Sequence, residues 1–175
     1  MGAANGALAE MIAMRSLFAL FLALVFTATS SQPASAADTV FVMRHLQKAD
    51  GADPPLSAEG VANAQLLAGM LAKSGIRAIF ATPTRRAMQT AQPLAAKLAI
   101  PVTSYDPANP AEIVSKVEAI SGAVLIVGHS NTVPDLVARF GGKQPVSLSD
   151  QDYGTLFVVT SANGNVSTVA IQPAR

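Results

Sequence analysis

Thr39-Val40-Phe41-Val42-Met43, running straight into Arg44-His45, is the stretch on which the fold reading turns. Its first five residues form a short apolar run rich in β-branched side chains, the signature of a buried strand. A basic residue and an imidazole stand immediately past its end. The same layout recurs at residues 123–129, where Ala123-Val124-Leu125-Ile126-Val127 leads through Gly128 into His129. Two apolar strands, each delivering a histidine at its carboxyl end, organise everything around them.

Between and beyond these strands the pattern alternates. A polar, Pro-containing loop runs through Pro55. Ser57 then reads as a helix cap, with Glu59 in the first turn and apolar residues at Val61, Ala64, Leu67, Ala68 and Leu71, and Gly75 marks the stop. Residues 77–81 form a second short strand. Thr82-Pro83 opens a second helix as cap and first-turn proline, with a buried stripe at Ala87, Ala91, Leu94, Ala95 and Leu98. A brief strand near Val102, a helix around residues 111–120 and a helix beginning near Asn131 complete the alternation. Strands at 156–160 and 166–171 flank Asn163-Gly164, a strong hairpin signal. The fold class that follows is α/β: a three-layer sandwich with a mainly parallel central sheet, helices on both faces and a C-terminal antiparallel hairpin. In such sheets ligands gather beyond the carboxyl ends of the strands.

Composition bounds the function. The 175 residues suit one domain, and 50% apolar against 13% charged residues favours a buried core over disorder. A net charge of +1 gives no nucleic-acid footprint. With no cysteine, disulfides, thiolate zinc sites and thiol catalysis are excluded together.

The first 36 residues read differently. From Met14 there is one Arg, an unbroken apolar stretch over 17–26, then small and polar residues ending in Ala34-Ser35-Ala36. The stretch is short of the roughly 20 residues that span a bilayer, and the small residues suit a signal peptidase. Residues 1–36 are therefore expected to be a signal peptide cut before Ala37, with one domain over 37–175. The expected location is periplasmic or secreted, without stable membrane insertion after the cut. Glu10 and the lack of any basic residue before Met14 suggest a true start at Met11 or Met14.

His45 and His129 are the only histidines, and both fall at the same rim of the expected sheet. Imidazole is nucleophilic and half-titrated near neutral pH, so it attacks phosphorus without a separate activating base. Phosphoryl transfer also needs cations for the equatorial oxygens, and guanidinium fits them. Arg44 adjoins the first His, and Arg85 and Arg86 open the helix after the second strand. Gly128 admits close backbone approach, and Ser130-Asn131-Thr132 offers helix N–H groups to an anion. Periodicity does not choose between Arg85 and Arg86.

Four segments in order resemble the histidine phosphatase superfamily, the group of phosphoglycerate mutases, phosphohistidine phosphatases and many acid phosphatases. Val42-Met43-Arg44-His45 is similar to its opening Arg-His motif, and Pro55-Leu56-Ser57-Ala58-Glu59-Gly60 to the segment that follows. Thr82-Pro83-Thr84-Arg85-Arg86-Ala87-Met88-Gln89-Thr90-Ala91 resembles the second-Arg helix, and Val127-Gly128-His129-Ser130 the second-His segment. The resemblance implies a phosphoglycerate mutase-like fold. It implies His45 as nucleophile, Arg44, Arg86 and His129 as phosphate-binding residues, and Asp106 as the candidate general acid. It also implies a reaction with no metal or other cofactor, on a small phosphorylated substrate or a phosphoprotein.

Two departures matter. Leu46 and Gln47 stand where relatives carry small residues and Glu, so a narrowed pocket is one expectation. A phosphate-binding sensor that has lost catalysis is the alternative function. Little chain between Arg86 and His129 is left for a lid, so an open site is expected.

Overall fold

Strand β1 (Thr39–Arg44) pairs in parallel with β4 (Ala123–Gly128) at the centre of a six-stranded sheet of order β3-β2-β4-β1-β5-β6. This is a computed structural model, and it describes residues 37–143, 147–162 and 165–171. Strands β2 (Ile76–Ala81) and β3 (Val102–Ser104) extend the parallel half. Strands β5 (Leu156–Ala162) and β6 (Asn165–Ile171) add an antiparallel half beside β1. The expected hairpin pairing is present, while its turn at Asn163-Gly164 and the expected signal peptide at 1–36 lie outside the described residues.

Helices α1 (Ala58–Leu71), α2 (Arg85–Leu98), α3 (Pro110–Glu118) and α4 (Val133–Arg139) cover the sheet. The pleat sorts them into two faces. Phe41, Met43, Ile79 and Leu125 pack with Leu67, Leu71, Ala91 and Leu94 from α1 and α2. Their strand neighbours Val40, Val42, Phe80, Val124 and Ile126 pack with Ile113, Val117, Val133 and Leu136 from α3 and α4. Covered on both faces, β4 is buried throughout, which explains a run that is apolar at every position rather than at alternate ones. Each such Leu, Ile or Val contributes about 1.5–3 kcal/mol by leaving water.

Two helix expectations shift. Val61 is half exposed rather than buried, and the inner face of α1 is Gly60, Ala64, Leu67, Ala68 and Leu71. The cause is Gly60. A Cβ there would run into the carbonyl of Gln47, so the helix is drawn against that backbone, where Ser57 N–H also donates to Gln47 O at 2.9 Å. Ser57 does cap the helix, its Oγ accepting from Gly60 N–H at 3.1 Å. Helix α2 begins later than expected, at Arg85 with Thr84 as cap. Thr82 stays with the strand exit, its N–H donating to Val127 O at 3.1 Å.

Candidate active site

The site follows from strand register. Arg44 lies opposite Gly128 across the β1–β4 pair, and His45 N–H donates to Gly128 O at 2.9 Å. The next residues, His45 and His129, therefore emerge side by side at the carboxyl rim. Their ring centroids are 5.4 Å apart, inclined at 67°.

His45 is buried, and its two nitrogens have distinct work. Nδ1 lies 2.8 Å from Leu46 O, a carbonyl that can only accept, so Nδ1 carries the proton. Nε2 then presents a lone pair, and Arg86 Nε–H donates to it at 3.1 Å. Thr90 ties these groups together. Its hydroxyl accepts from Leu46 N–H at 3.0 Å and donates to Arg86 O at 2.8 Å. The Leu46 side chain packs into the core with Leu56 and Leu67, so it does not narrow a pocket as expected. Its role is carried by its backbone. Gln47 turns to α1, with Nε2 donating to Glu59 and Oε1 accepting from Asn63, each at 3.1 Å.

His129 shares a 2.9 Å hydrogen bond between Nε2 and the hydroxyl of buried Thr82. Both histidines are pushed down from the ordinary 6.5 to about 4. For His45 burial is the largest cause. The Leu46 carbonyl pulls the other way, and Arg44, Arg86 and His129 push further down. For His129 burial is again first, then Arg86 and Arg44. Near neutral pH the site thus holds two uncharged imidazoles among two guanidinium groups, an arrangement that favours an anion.

Arg44 is buried beneath the segment that follows α4. Its Nη1 donates to Ser149 O at 2.8 Å and Nη2 to Asp150 Oδ1 at 3.2 Å. The Tyr153 ring lies 4.3 Å from the guanidinium carbon and 5.9 Å from the His45 ring centroid. Nε is buried with no hydrogen-bond partner among the described residues. The rim is therefore covered from 149–153, a cover that an inspection of the residues between Arg86 and His129 alone does not anticipate. Arg86 faces Asp53 as well, at 3.4 Å, and Asp53 also accepts from Arg85 N–H at 3.1 Å. Arg85 itself is exposed, whereas the Arg86 side chain turns toward His45.

The hydrogen bond of Asp106 is to its own turn and not to this cluster. The residue is exposed, and its carboxylate accepts from Ala108 N–H at 2.9 Å. The turn at 129–132 uses the N–H groups of Thr132 and Val133 on His129 O, so those two do not await an anion. Sequence reading missed Thr82, Thr90, Asp53, Asp150 and Tyr153. Thr82 was legible only as a helix cap, and the segment carrying Asp150 and Tyr153 has no strand or helix period to place it. No group of three or more carboxylate, histidine or cysteine side chains is arranged for a metal ion among the described residues.

Residues 41–107 match the sequence profile described as histidine phosphatase superfamily (branch 1). No curated protein sequence matches the chain. Solved structures do. The protein histidine phosphatase SixA in complex with tungstate is 24% identical, with 75% of this chain and 94% of that one covered and a TM-score of 0.59. Bacillus stearothermophilus YhfR is 18% identical over 78% and 98% of the chains, with a TM-score of 0.59. The mycobacterial glucosyl-3-phosphoglycerate phosphatase with inorganic phosphate is 16% identical over 79% and 98%, with a TM-score of 0.57. Residues 41–107 thus match the histidine phosphatase superfamily (branch 1), and the chain shares the fold of phosphoglycerate mutase-like histidine phosphatases.

Proposed function

We propose that this chain is a metal-independent phosphatase that hydrolyses phosphomonoesters, or a protein phosphate, through a phosphohistidine on His45. The observation that carries the reading is the pair of bonds on His45. Nδ1–H is held by Leu46 O, and Nε2 meets the Arg86 Nε–H at 3.1 Å, so the lone pair points to where a cation gathers phosphate oxygens.

In this reading Nε2 attacks phosphorus in line with the leaving oxygen. The N–P bond forms as the P–O bond breaks, and Arg44, Arg86 and His129 hold the equatorial oxygens as charge shifts. The leaving oxygen takes a proton. Water then attacks the phosphohistidine, releasing inorganic phosphate and returning neutral His45. The low pKa of His45 keeps it in the attacking form near neutral pH. Asp106, bound into its own turn, is not assigned the proton transfer, which falls to water at the rim. Leaving groups of low basicity are then the better substrates. SixA is described as a protein histidine phosphatase and the mycobacterial structure as a glucosyl-3-phosphoglycerate phosphatase, which supports both a phosphoprotein and a small phosphorylated molecule as substrate class.

The test is hydrolysis of p-nitrophenyl phosphate by the full chain, wild type against H45A, with acid-quench trapping of phosphorylated His45. Equal rates, or a label on any other residue, end the reading. A second reading, an anion sensor without turnover, is favoured by the engagement of Arg44 with Ser149 and Asp150. It predicts tight phosphate binding and no hydrolysis. We also propose export on the strength of the leader at 1–36; a mature protein whose N-terminal residue is not Ala37 counts against that boundary.

A further inference from the structure

Residues 149–153 form a small unit locked by its own hydrogen bonds. Ser149 N–H donates to Asp152 Oδ2 at 2.6 Å, Gln151 N–H to Ser149 Oγ at 3.2 Å, and Asp152 N–H back to Ser149 O at 3.2 Å. The unit presents three groups to Arg44 together: the Ser149 carbonyl, the Asp150 carboxylate and the Tyr153 ring. Asp150 Oδ1 also lies 3.4 Å from Ser130 Oγ, beside His129, so its carboxylate bridges the two strand ends. A carbonyl oxygen and a carboxylate oxygen on a buried guanidinium, next to the histidine pair, stand where phosphate oxygens sit in the function proposed above.

We infer that Asp150 is an autoinhibitory residue: its carboxylate holds the anion seat of Arg44, and a phosphate group enters by displacing it together with the Ser149–Tyr153 strap. The inference rests on the phosphate-site reading but not on turnover. A tethered carboxylate competes at high effective concentration, so every anion that needs the seat is weakened by the same factor, the fraction of molecules in which the strap is open. The contact is electrostatic on an exposed partner, since the Asp150 side chain is 86% exposed, so salt loosens it. Release of the strap also lifts the Tyr153 ring from the Arg44 and His45 groups.

The Asp150 side chain is exposed, so D150A and D150N test the contact without opening a cavity in the core. Inorganic phosphate binding to the full chain, by isothermal titration, is expected to tighten about threefold to tenfold in both variants. Tungstate is expected to gain by the same factor. The gain should shrink at high ionic strength, and KM for p-nitrophenyl phosphate should fall in parallel. The chain has no Trp and two Tyr, so in Y105F the tyrosine emission reports Tyr153 alone and should change on saturation with phosphate. Unchanged or weaker phosphate binding in D150A, or emission indifferent to phosphate, overturns the inference even if the wild type is an active phosphatase. Conversely, tighter binding in D150A by a chain that never hydrolyses a phosphomonoester supports the strap and sinks the phosphatase reading.

Discussion

Arg86 Nε–H points into the lone pair of His45 Nε2 at 3.1 Å, so the cation and the proposed nucleophile partner each other. In the proposed function a phosphate offers Arg86 anionic oxygens and so releases the lone pair for attack. Replacing Arg86 by Ala is therefore expected to lower kcat/KM by about 10²–10³. Because Arg86 pushes the His45 pKa down, R86A should also raise it, measured by following the imidazole through an NMR titration. A titration curve unchanged by R86A contradicts the pairing.

The depressed histidines set the pH response. Attack needs neutral His45, so kcat/KM with a substrate of constant charge should hold as pH falls through 6.5 and drop only near 4. Stability moves earlier. Both folded-state pKa values are lowered, so between the ordinary 6.5 and about 4 the unfolded chain binds protons that the folded one refuses. Stability is full above that window and declines as pH falls through it. Urea melts from pH 8 to 4 check the sign, and H129N should flatten part of the slope.

Thr82 should matter as the residue that orients His129. T82V keeps the volume and removes the hydroxyl from a 2.9 Å bond in a buried place. The expected cost is about 1 kcal/mol in stability and about tenfold in kcat, with a smaller effect on KM. T82S, which restores the hydroxyl, should recover most of the rate. A T82V enzyme with normal kcat would remove Thr82 from the site.

Two glycines are predicted to resist even Ala. At Gly128 a Cβ would sit 2.6 Å from Thr132 Oγ1 and 2.9 Å from the Tyr105 hydroxyl, beside the strand end that delivers His129. At Gly60 it would strike the Gln47 carbonyl. Each substitution should cost about 1–3 kcal/mol by overpacking. G128A should in addition impair turnover more than its stability loss explains, since His129 follows directly. Thermal melts alongside rates at a temperature where both variants are folded separate the two effects.

How much of this was legible beforehand differs by kind of residue. Strands such as 123–127 and the cap at Ser57 were readable because their signals are local: an apolar run, a hydroxyl before a helix. Arg44, His45 and His129 were placed at one rim by topology alone. The choice of Arg86 over Arg85 needed the family resemblance, because both sit beside the buried stripe. Val61 misled because helical periodicity cannot know that Gly60 must meet a backbone carbonyl from another segment. Thr82 reads as a helix cap, since a Thr-Pro pair gives that signal whether or not the hydroxyl is claimed by a distant imidazole. Asp150 and Tyr153 gave no signal at all. Their position over Arg44 comes from the path of a loop, which no periodicity encodes.

The pairing of Arg44 with Gly128 has a consequence for when the site comes into being. Strands β1 and β4 are distant in the chain, and two other strands are made between them before β4 can take its central place. A pairing of such long range closes late in folding, after local helices and turns have formed. A partly folded form that lacks this central pair does not bring both histidines to one rim. Phosphate binding would then act as a reporter of completed folding, and a chain that refolds with its helices regained but its central pair unformed should be silent toward phosphate.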